Sequence, residues 1–163
     1  MRSVRKKISC IDQAFKLLAL RSHSVYEMCE KLKVRDYDSG VIEKTVERLQ
    51  KLGYLDDEKY SKAYAMARVE RMRLGPKRIR TDLTKKGFPR EVVSKTVYAI
   101  FGEDESEMKT AILAAKKKLR TLKRGLDEGA VKRKLFDHLV RRGFSGDVSR
   151  RIALDNIGEI SDE

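Results

Sequence analysis

Apolar residues recur every three or four positions along most of the chain, and this spacing predicts amphipathic helices rather than strands. Ala14, Leu17 and Leu18 form the first apolar stripe, and Ile79 and Leu83 form another near the middle of the chain. Two longer stripes consist of Tyr60, Ala63, Tyr64 and Ala67, and of Met108, Ala111, Ile112, Ala115 and Leu119. The pattern predicts an all-α protein.

Several of the predicted helices have recognisable starts. Ser24 is suited to cap a helix over Val25–Lys33, and Asp57 is suited to open a longer helix that runs to Gly75. Pro76 fits the first turn of the next helix, which we predict over residues 77–86.

The chain contains three copies of one residue pattern. Residues 83–101 align without a gap to a segment 51 positions earlier and to another 56 positions later, which brings Leu32, Leu83 and Leu139 into register. Within this register, Lys85-Lys86-Gly87-Phe88 recurs as Arg141-Arg142-Gly143-Phe144. A spacing shared by three segments indicates tandem repeats.

Each repeat has a turn between its second and third helix. Cationic residues end the second helix beside its negative dipole, and Gly87 and Gly143 suit the left-handed conformation that closes a helix. Asp36 occupies the glycine position of the first repeat, so we expect that turn to be built differently. The residues suited to start the third helices are Pro89, Ser145 and either Asp38 or Ser39.

These elements predict an all-α fold in which three three-helix units form an elongated, curved tandem array. We predict repeats over residues 11–55, 56–102 and 103–157, with a basic tail at 1–10 and an acidic tail at 158–163. Units of about fifty residues bury only a small core, so neighbouring units must also pack against each other.

The charge of the chain is strongly positive. Its formal net charge is +13, and the excess is spread along the sequence rather than held in one tail. A distributed positive field favours a polyanionic partner, because Lys and Arg displace counterions from phosphates. The alternative is a cationic surface that only keeps the protein soluble, and we favour nucleic acid or a nucleoprotein over it.

The sequence shows no pattern typical of an enzyme. His23 and His138 stand alone, without the spaced ligands of a zinc site. Gly75 and Gly87 are isolated rather than part of a phosphate-binding loop, and Asp57 is better explained as a helix cap than as a metal ligand. We therefore expect no catalysis, no metal and no cofactor.

The cysteines and the termini bear on the compartment. Cys10 and Cys29 lie in or beside helical patterns, which predicts buried reduced thiols, with a regulatory disulfide as the alternative. No apolar run has the length of a secretory signal or of a membrane span. We expect a cytoplasmic protein without membrane contact.

With these residues in view, the chain resembles the RecX family of bacterial regulatory proteins from Ile11 to Ile157. The most specific stretch is residues 53–60, GYLDDEKY. Tyr60-Ser61 departs from the Phe-Ala that is usual in the family, and Leu74 stands where a bulky aromatic is common. The other matching residues are Ala14, Leu17, Leu18, Arg21, Ser24, Glu27 and Leu32, followed by Arg68, Gly75, Arg78, Ile79, Leu83, Lys86 and Gly87.

The resemblance implies a function that periodicity alone does not. RecX-like proteins are built from tandem three-helix repeats and bind the RecA recombinase, above all its filament on single-stranded DNA. They restrain ATP hydrolysis and strand exchange, and so modulate recombinational DNA repair and the SOS response. For this chain we therefore expect a RecA filament as partner, weak and sequence-tolerant contact with single-stranded DNA, and a monomeric protein.

Binding residues have to be inferred from side-chain geometry, since the family has no compact catalytic motif. With Ile79 and Leu83 facing inward, Lys77, Arg78 and Lys85 project to the opposite side of their helix. The alternative for each cation is that its side chain only faces solvent and contacts no partner. The candidate partner-binding residues are Arg68, Arg71, Lys77, Arg78, Lys85, Lys86, Lys116, Lys117, Arg120, Arg141, Arg142 and Arg150, and the same clusters include Lys123, Arg124, Lys132, Arg133 and Arg151.

Aromatic side chains offer a second kind of contact. Tyrosine rings can stack on nucleobases, but the helical spacing of these residues predicts core positions instead. The tyrosines concerned are Tyr26, Tyr54, Tyr60, Tyr64 and Tyr98.

A helix-turn-helix DNA-binding protein is the alternative function, because three short helices with a glycine-containing turn also describe that module. Such a regulator generally has one recognition helix and binds as a dimer. This chain has three comparable units and no dimerisation heptad, which favours the RecX-like function.

Overall fold

A computed structural model describes residues 8–102, 104–122 and 125–155. Within these ranges the chain forms nine α-helices and no strand, as the apolar spacing predicts. Residues 1–7 of the basic tail expected at 1–10, the acidic tail expected at 158–163, and the cations Lys123 and Arg124 lie outside the described residues. The helices are α1 Cys10–Leu20, α2 Val25–Lys33, α3 Ser39–Lys51, α4 Asp57–Met72, α5 Pro76–Lys85, α6 Arg90–Phe101, α7 Asp104–Leu119, α8 Glu128–Arg141 and α9 Gly146–Asp155.

The helices group in threes around three separate cores. Leu32, Leu83 and Leu139 are each 0% exposed, so the equivalence predicted from the two sequence offsets is confirmed. Each of these leucines belongs to a different apolar cluster. The fold is therefore the predicted all-α tandem repeat, while the boundaries predicted between the repeats stay predictions.

The turn after the second helix is the same in all three repeats. The amide of the aromatic residue donates to the carbonyl of the buried leucine, over 3.4 Å from Tyr37 to Leu32 and 3.2 Å from Phe144 to Leu139. Asp36 has a φ of 57°, close to the left-handed φ of Gly87 and Gly143. The expectation that the Asp36 turn is built differently was wrong, because aspartate tolerates this conformation better than most residues.

Gly87 and Gly143 lie against a neighbouring repeat, which leaves no room for a side chain, whereas Asp36 does not. A Cβ added at Gly87 would overlap the ring of Tyr26 in the first repeat, and a Cβ at Gly143 would overlap the backbone of Arg78 in the second. Asp36 is exposed, because its repeat comes first in the array. The contact between repeats, and not the turn alone, therefore explains where glycine occurs.

The central helices of successive repeats meet end to end. At the α8–α5 junction, the amides of Gly75 and Lys77 donate to the carbonyls of Arg142 and Gly143 over 2.8 and 2.9 Å. The carboxyl end of α8, with its partial negative charge, therefore meets the amino end of α5, with its partial positive charge.

The α5–α2 junction repeats this arrangement with side chains. Ser24 caps α2 and also donates its hydroxyl to the carbonyl of Lys86 over 2.6 Å. Asp57 accepts a hydrogen bond from the amide of Val25, while Asp56 caps α4. The prediction that Asp57 is the cap was wrong by one residue, because its carboxylate links two repeats instead.

The helix expected to run from Asp57 to Gly75 ends earlier, at Met72. Arg73 adopts a left-handed φ of 53°, which turns the chain so that Leu74 is buried. Gly75 is then free to donate to the third repeat. Helix α5 begins at Pro76, its first-turn residue, and ends at Lys85, one residue before the predicted end.

Candidate partner interface

One face of the three central helices is exposed at every position except Glu30, which is partly exposed. On α5 this face carries Lys77, Thr81 and Lys85, spaced four residues apart and opposite the buried Ile79 and Leu83. The repeat register places Tyr26, Glu30 and Val34 at the same positions of α2, and Arg133, Asp137 and Arg141 at the same positions of α8. We call these nine residues the central-helix stripe.

Half of the predicted binding cations are exposed and have no carboxylate partner within the described ranges. Lys77, Lys85 and Arg141 belong to the central-helix stripe, and their charged groups are available to a ligand. The other three are Arg71 on α4, Lys117 on α7 and Arg120, which directly follows α7.

The other predicted cations have partners inside the fold. Arg78 pairs with Asp82 over 3.2 Å, and the cationic group of Arg150 lies 3.8 Å from the carboxylate of Asp147. Arg68 donates to the hydroxyl of Tyr64 over 3.0 Å. Arg142, Lys86 and Lys116 are only partly exposed, and Arg142 donates to the imidazole of His138 over 3.1 Å.

Lys86 belongs to a charged cluster that joins the first two repeats. Its ammonium lies 3.1 Å from the carboxylate of Glu27 and 4.9 Å from the centre of the Tyr64 ring. Arg21 donates to both oxygens of Glu27, over 3.1 and 3.0 Å. Lys86 therefore stabilises the junction of the repeats, and its binding of a partner stays a prediction.

The electrostatics of Glu27 follow from this cluster. Burial alone would raise the pKa of the Glu27 carboxyl, but hydrogen bonds from Arg21, the Ser24 amide and Lys86 outweigh burial and lower the pKa to about 2. Sequence reasoning missed Glu27 as a junction residue, although Ser24 and Glu27 have the spacing of a capping box, which the structure confirms.

His138 gives the fold a second dependence on pH. Burial, followed by the charges of Arg142, Lys118 and Arg141, lowers the pKa of His138 to about 4. Protonation of its Nε2 atom would also remove the acceptor for Arg142. Because the folded pKa lies below the ordinary value of about 6.5, the protein binds a proton on unfolding and loses stability as pH falls from about 6.5 to 4.

We therefore expect the melting temperature to fall as the pH is lowered from 6.5 to 4. A His138→Gln variant should show a smaller decrease over this range, because glutamine does not titrate. Below about pH 4.5, titration of Glu27 should add a further loss of stability in both proteins, since its folded pKa is depressed. Thermal melts at half-unit pH intervals measure both effects, and identical curves for the two proteins would contradict the role of His138.

The tyrosines depart from the core positions predicted for them. Tyr26, Tyr54 and Tyr98 are 53%, 56% and 76% exposed, whereas Tyr60 and Tyr64 pack partly buried in the second repeat. The prediction was wrong for the first three, because periodicity alone does not distinguish a core ring from one that covers a junction or a helix end.

Within the described part of the chain, no group of three His, Cys, Asp or Glu side chains is placed to hold a metal ion. Cys10 is buried and Cys29 is half-buried, and both are free thiols. Burial raises the pKa of the Cys29 thiol, which lowers its reactivity. No helix within these ranges is long and apolar enough to cross a membrane.

Comparison with known proteins identifies the three repeats individually. Family models match residues 10–49 as the first three-helix domain of RecX, residues 56–97 as the second and residues 105–152 as the third. Together these matches cover most of the chain.

Relatives with similar sequences extend over nearly the full length. Regulatory protein RecX of Chlorobaculum tepidum is 35% identical over 156 residues, which cover 96% of this chain and 93% of that protein. Regulatory protein RecX of Chlorobium phaeobacteroides is 33% identical over 146 residues, covering 90% and 91% of the two chains.

Solved structures show the same fold. The crystal structure of RecX from Lactobacillus salivarius superposes with a TM-score of 0.75 at 20% identity, covering 88% of this chain and 91% of that one. Another crystal structure of a regulatory protein RecX gives a TM-score of 0.77 at 22% identity, covering 88% and 70%. With three matched domains in order and relatives above 30% identity along their length, the chain belongs to the RecX family of regulatory proteins.

Proposed function

We propose that the protein binds the RecA recombinase filament on single-stranded DNA and inhibits its ATP hydrolysis and strand exchange, thereby regulating recombinational repair. The proposal assigns this activity to the monomer in the cytoplasm, without catalysis by the chain itself. Membership of a family of regulatory proteins supports a regulatory role, and the RecX resemblance supplies the partner.

The central-helix stripe carries the proposal. Its α5 and α8 segments present four exposed cations at equivalent positions, Lys77, Lys85, Arg133 and Arg141. Lys77 and Lys85 are eight residues apart, so their Cα atoms are separated by about 12 Å along the helix. These cations have no carboxylate partner among the residues that the structure describes, so they can bind a phosphate backbone and release its counterions.

This arrangement favours backbone contact over base reading. Four phosphate contacts to a single strand give a salt slope, d log K/d log[salt], of about −3. Lysine and arginine heads on phosphates position a protein but read no sequence. Binding to naked DNA should therefore be weak, sequence-tolerant and strongly salt-dependent.

Reversing two charges of the stripe tests this face. We expect Lys77→Glu with Lys85→Glu to weaken binding to the filament and to reduce the magnitude of the salt slope on naked single strands by about 1.4, or 0.7 for each lost contact. Both side chains are exposed and make no ion pair within the described ranges. The free energy of unfolding should therefore change by less than about 0.5 kcal/mol per substitution. Arg78 is left unchanged because it pairs with Asp82 beside the α8–α5 junction.

Lys44→Glu with Lys62→Glu is the matched control. It makes the same change of net charge at two exposed lysines on α3 and α4, away from the stripe. Anisotropy of labelled single strands, naked and coated with recombinase, measures all three proteins at several salt concentrations. If both variants lose the same affinity, the effect comes from net charge in general, and the central-helix stripe is not the binding face. A preference of about a thousandfold or more for one duplex sequence would favour the helix-turn-helix alternative instead.

A further inference from the structure

The central-helix stripe changes its chemistry between repeats. In the second and third repeats its outer positions hold Lys77 and Lys85, and Arg133 and Arg141, whereas in the first repeat the same positions hold an aromatic and an aliphatic side chain. These are Tyr26, 53% exposed, and Val34, 80% exposed. Since the fold of the three turns is the same, this difference lies in the side chains and not in the backbone.

The charge of the repeats changes in the same direction. Residues 8–55 contain 8 Lys and Arg against 7 Asp and Glu, a net charge of +1. Residues 56–102 contain 12 against 6, or +6, and residues 103–155 contain 14 against 9, or +5. The first repeat therefore attracts a polyanion much less than the other two do.

Exposed apolar side chains are concentrated where the charge is low. Among the described residues, 14 large hydrophobic side chains are exposed, and 8 of them lie within residues 8–55, with 3 within 56–102 and 3 within 103–155. The eight are Ile8, Phe15, Leu20, Tyr26, Val34, Val41, Leu52 and Tyr54. Exposed apolar groups suit a protein contact, because nucleic-acid interfaces are more polar and more positively charged, and of these eight only Tyr26 and Val34 lie on the central-helix stripe.

Tyr26 is also held in place rather than loose on the surface. Its ring lies against Gly87, where a Cβ would overlap it, so the junction with the second repeat fixes its position. A fixed aromatic side chain loses little entropy on binding, which suits it as an anchor in an interface. Tyr26 is the second residue of α2 and lies at the junction with α5, next to the cationic segment of the stripe.

We infer that the stripe is divided between two partners: the α2 segment docks on an apolar protein surface of the recombinase, while the α5 and α8 segments follow the phosphate backbone. This inference rests on the proposed function. It assigns Tyr26 and Val34 to the protein contact and Lys77, Lys85, Arg133 and Arg141 to the nucleic-acid contact.

Exchanging the chemistry of one repeat for that of the next tests the division. Tyr26→Lys with Val34→Lys gives the first repeat the side chains that Lys77 and Lys85 give the second. We expect the magnitude of the salt slope on naked single-stranded DNA to rise by up to about 1.4, with tighter binding at low salt. Half-maximal inhibition of the recombinase ATPase should nevertheless require about tenfold more protein, since the aromatic anchor of the proposed protein contact has been lost.

Leu20→Lys with Leu52→Lys is the matched control, because these exposed side chains lie in the first repeat but outside the stripe. It adds the same charge and should leave ATPase inhibition unchanged. Val34→Lys alone provides the test if Tyr26→Lys alters the melting curve, since Tyr26 also packs at the junction. A smaller loss of inhibition in the same direction is then expected.

The possible outcomes separate the two proposals. Stronger inhibition together with tighter DNA binding in the exchanged variant would show that α2 contacts nucleic acid and would overturn the division. Unchanged inhibition, or an equal loss in the Leu20 and Leu52 control, would overturn it as well. In all these cases the wild-type protein still inhibits, so the proposed function stands. A wild-type protein without inhibition would overturn both.

Discussion

Gly143→Ala is expected to destabilise the protein by about 2–5 kcal/mol, from about 1–2 kcal/mol for a left-handed alanine and about 1–3 kcal/mol for overpacking. Gly143 has a φ of 88°, and an added Cβ would overlap the backbone of Arg78 in the preceding repeat. A helix backbone has no alternative rotamer, so the α8–α5 junction has to open. The hydrogen bonds from Gly75 and Lys77 across this junction would then be weakened as well.

Gly53→Ala is the matched control for this prediction. Gly53 has a φ of 74°, but nothing lies within 4 Å of an added Cβ there. It should therefore lose only the conformational part, about 1–2 kcal/mol. Gly87→Ala should fall between the two, because its Cβ meets the side chain of Tyr26 and not a backbone.

Equilibrium unfolding in urea measures the three variants. For Gly143→Ala we also expect a broader transition, because repeats that lose their interface unfold less cooperatively. If Gly143→Ala and Gly53→Ala lose the same stability, end-to-end packing of the central helices does not restrict the glycine positions.

Leu83→Ala is expected to cost about 2–5 kcal/mol, the range found for leucines whose removal leaves a cavity. Leu83 is 0% exposed, and its carbonyl also accepts the amide of Phe88 at the turn. Lys85 lies only two residues away on the exposed side of the same helix, so stability and binding are expected to separate within one element.

Thermal and urea unfolding of Leu83→Ala, alongside the variant with Lys77→Glu and Lys85→Glu, measure this separation. The leucine variant should lose stability but keep its affinity for the filament at temperatures where it is folded. The charge-reversed variant should keep its stability and lose affinity. If the charge-reversed variant unfolds as readily as Leu83→Ala, its lysines contribute to the fold and are not a free binding face.

The repeat architecture could be predicted from the sequence because its signals are local. Amphipathic spacing, caps such as Ser24, and the glycines that close α5 and α8 all depend on residues within about one turn of each other. The register of Leu32, Leu83 and Leu139 then followed from comparing segments of the same chain. Each of these signals can be recognised in the sequence without knowing how the repeats pack together.

Contacts between repeats could not be predicted in the same way. Tyr26 lies on Gly87, and Glu27 binds Lys86, although each pair is about sixty residues apart in sequence. The capping box at Ser24 indicates a helix start but not the lysine that Glu27 meets in the next repeat. For the same reason, the sequence could not distinguish Lys86, held at a junction, from Lys85, exposed beside it.

The rate of ATP hydrolysis by the recombinase on single-stranded DNA, measured at increasing concentrations of this protein, tests the proposed function most directly. We predict that the wild-type chain lowers the rate to a plateau, and that the variant with Lys77→Glu and Lys85→Glu needs a higher concentration to do so. The Lys44 and Lys62 control should act like the wild type. An ATPase rate that stays constant up to saturating amounts of the folded wild-type protein would contradict the proposed regulation of RecA.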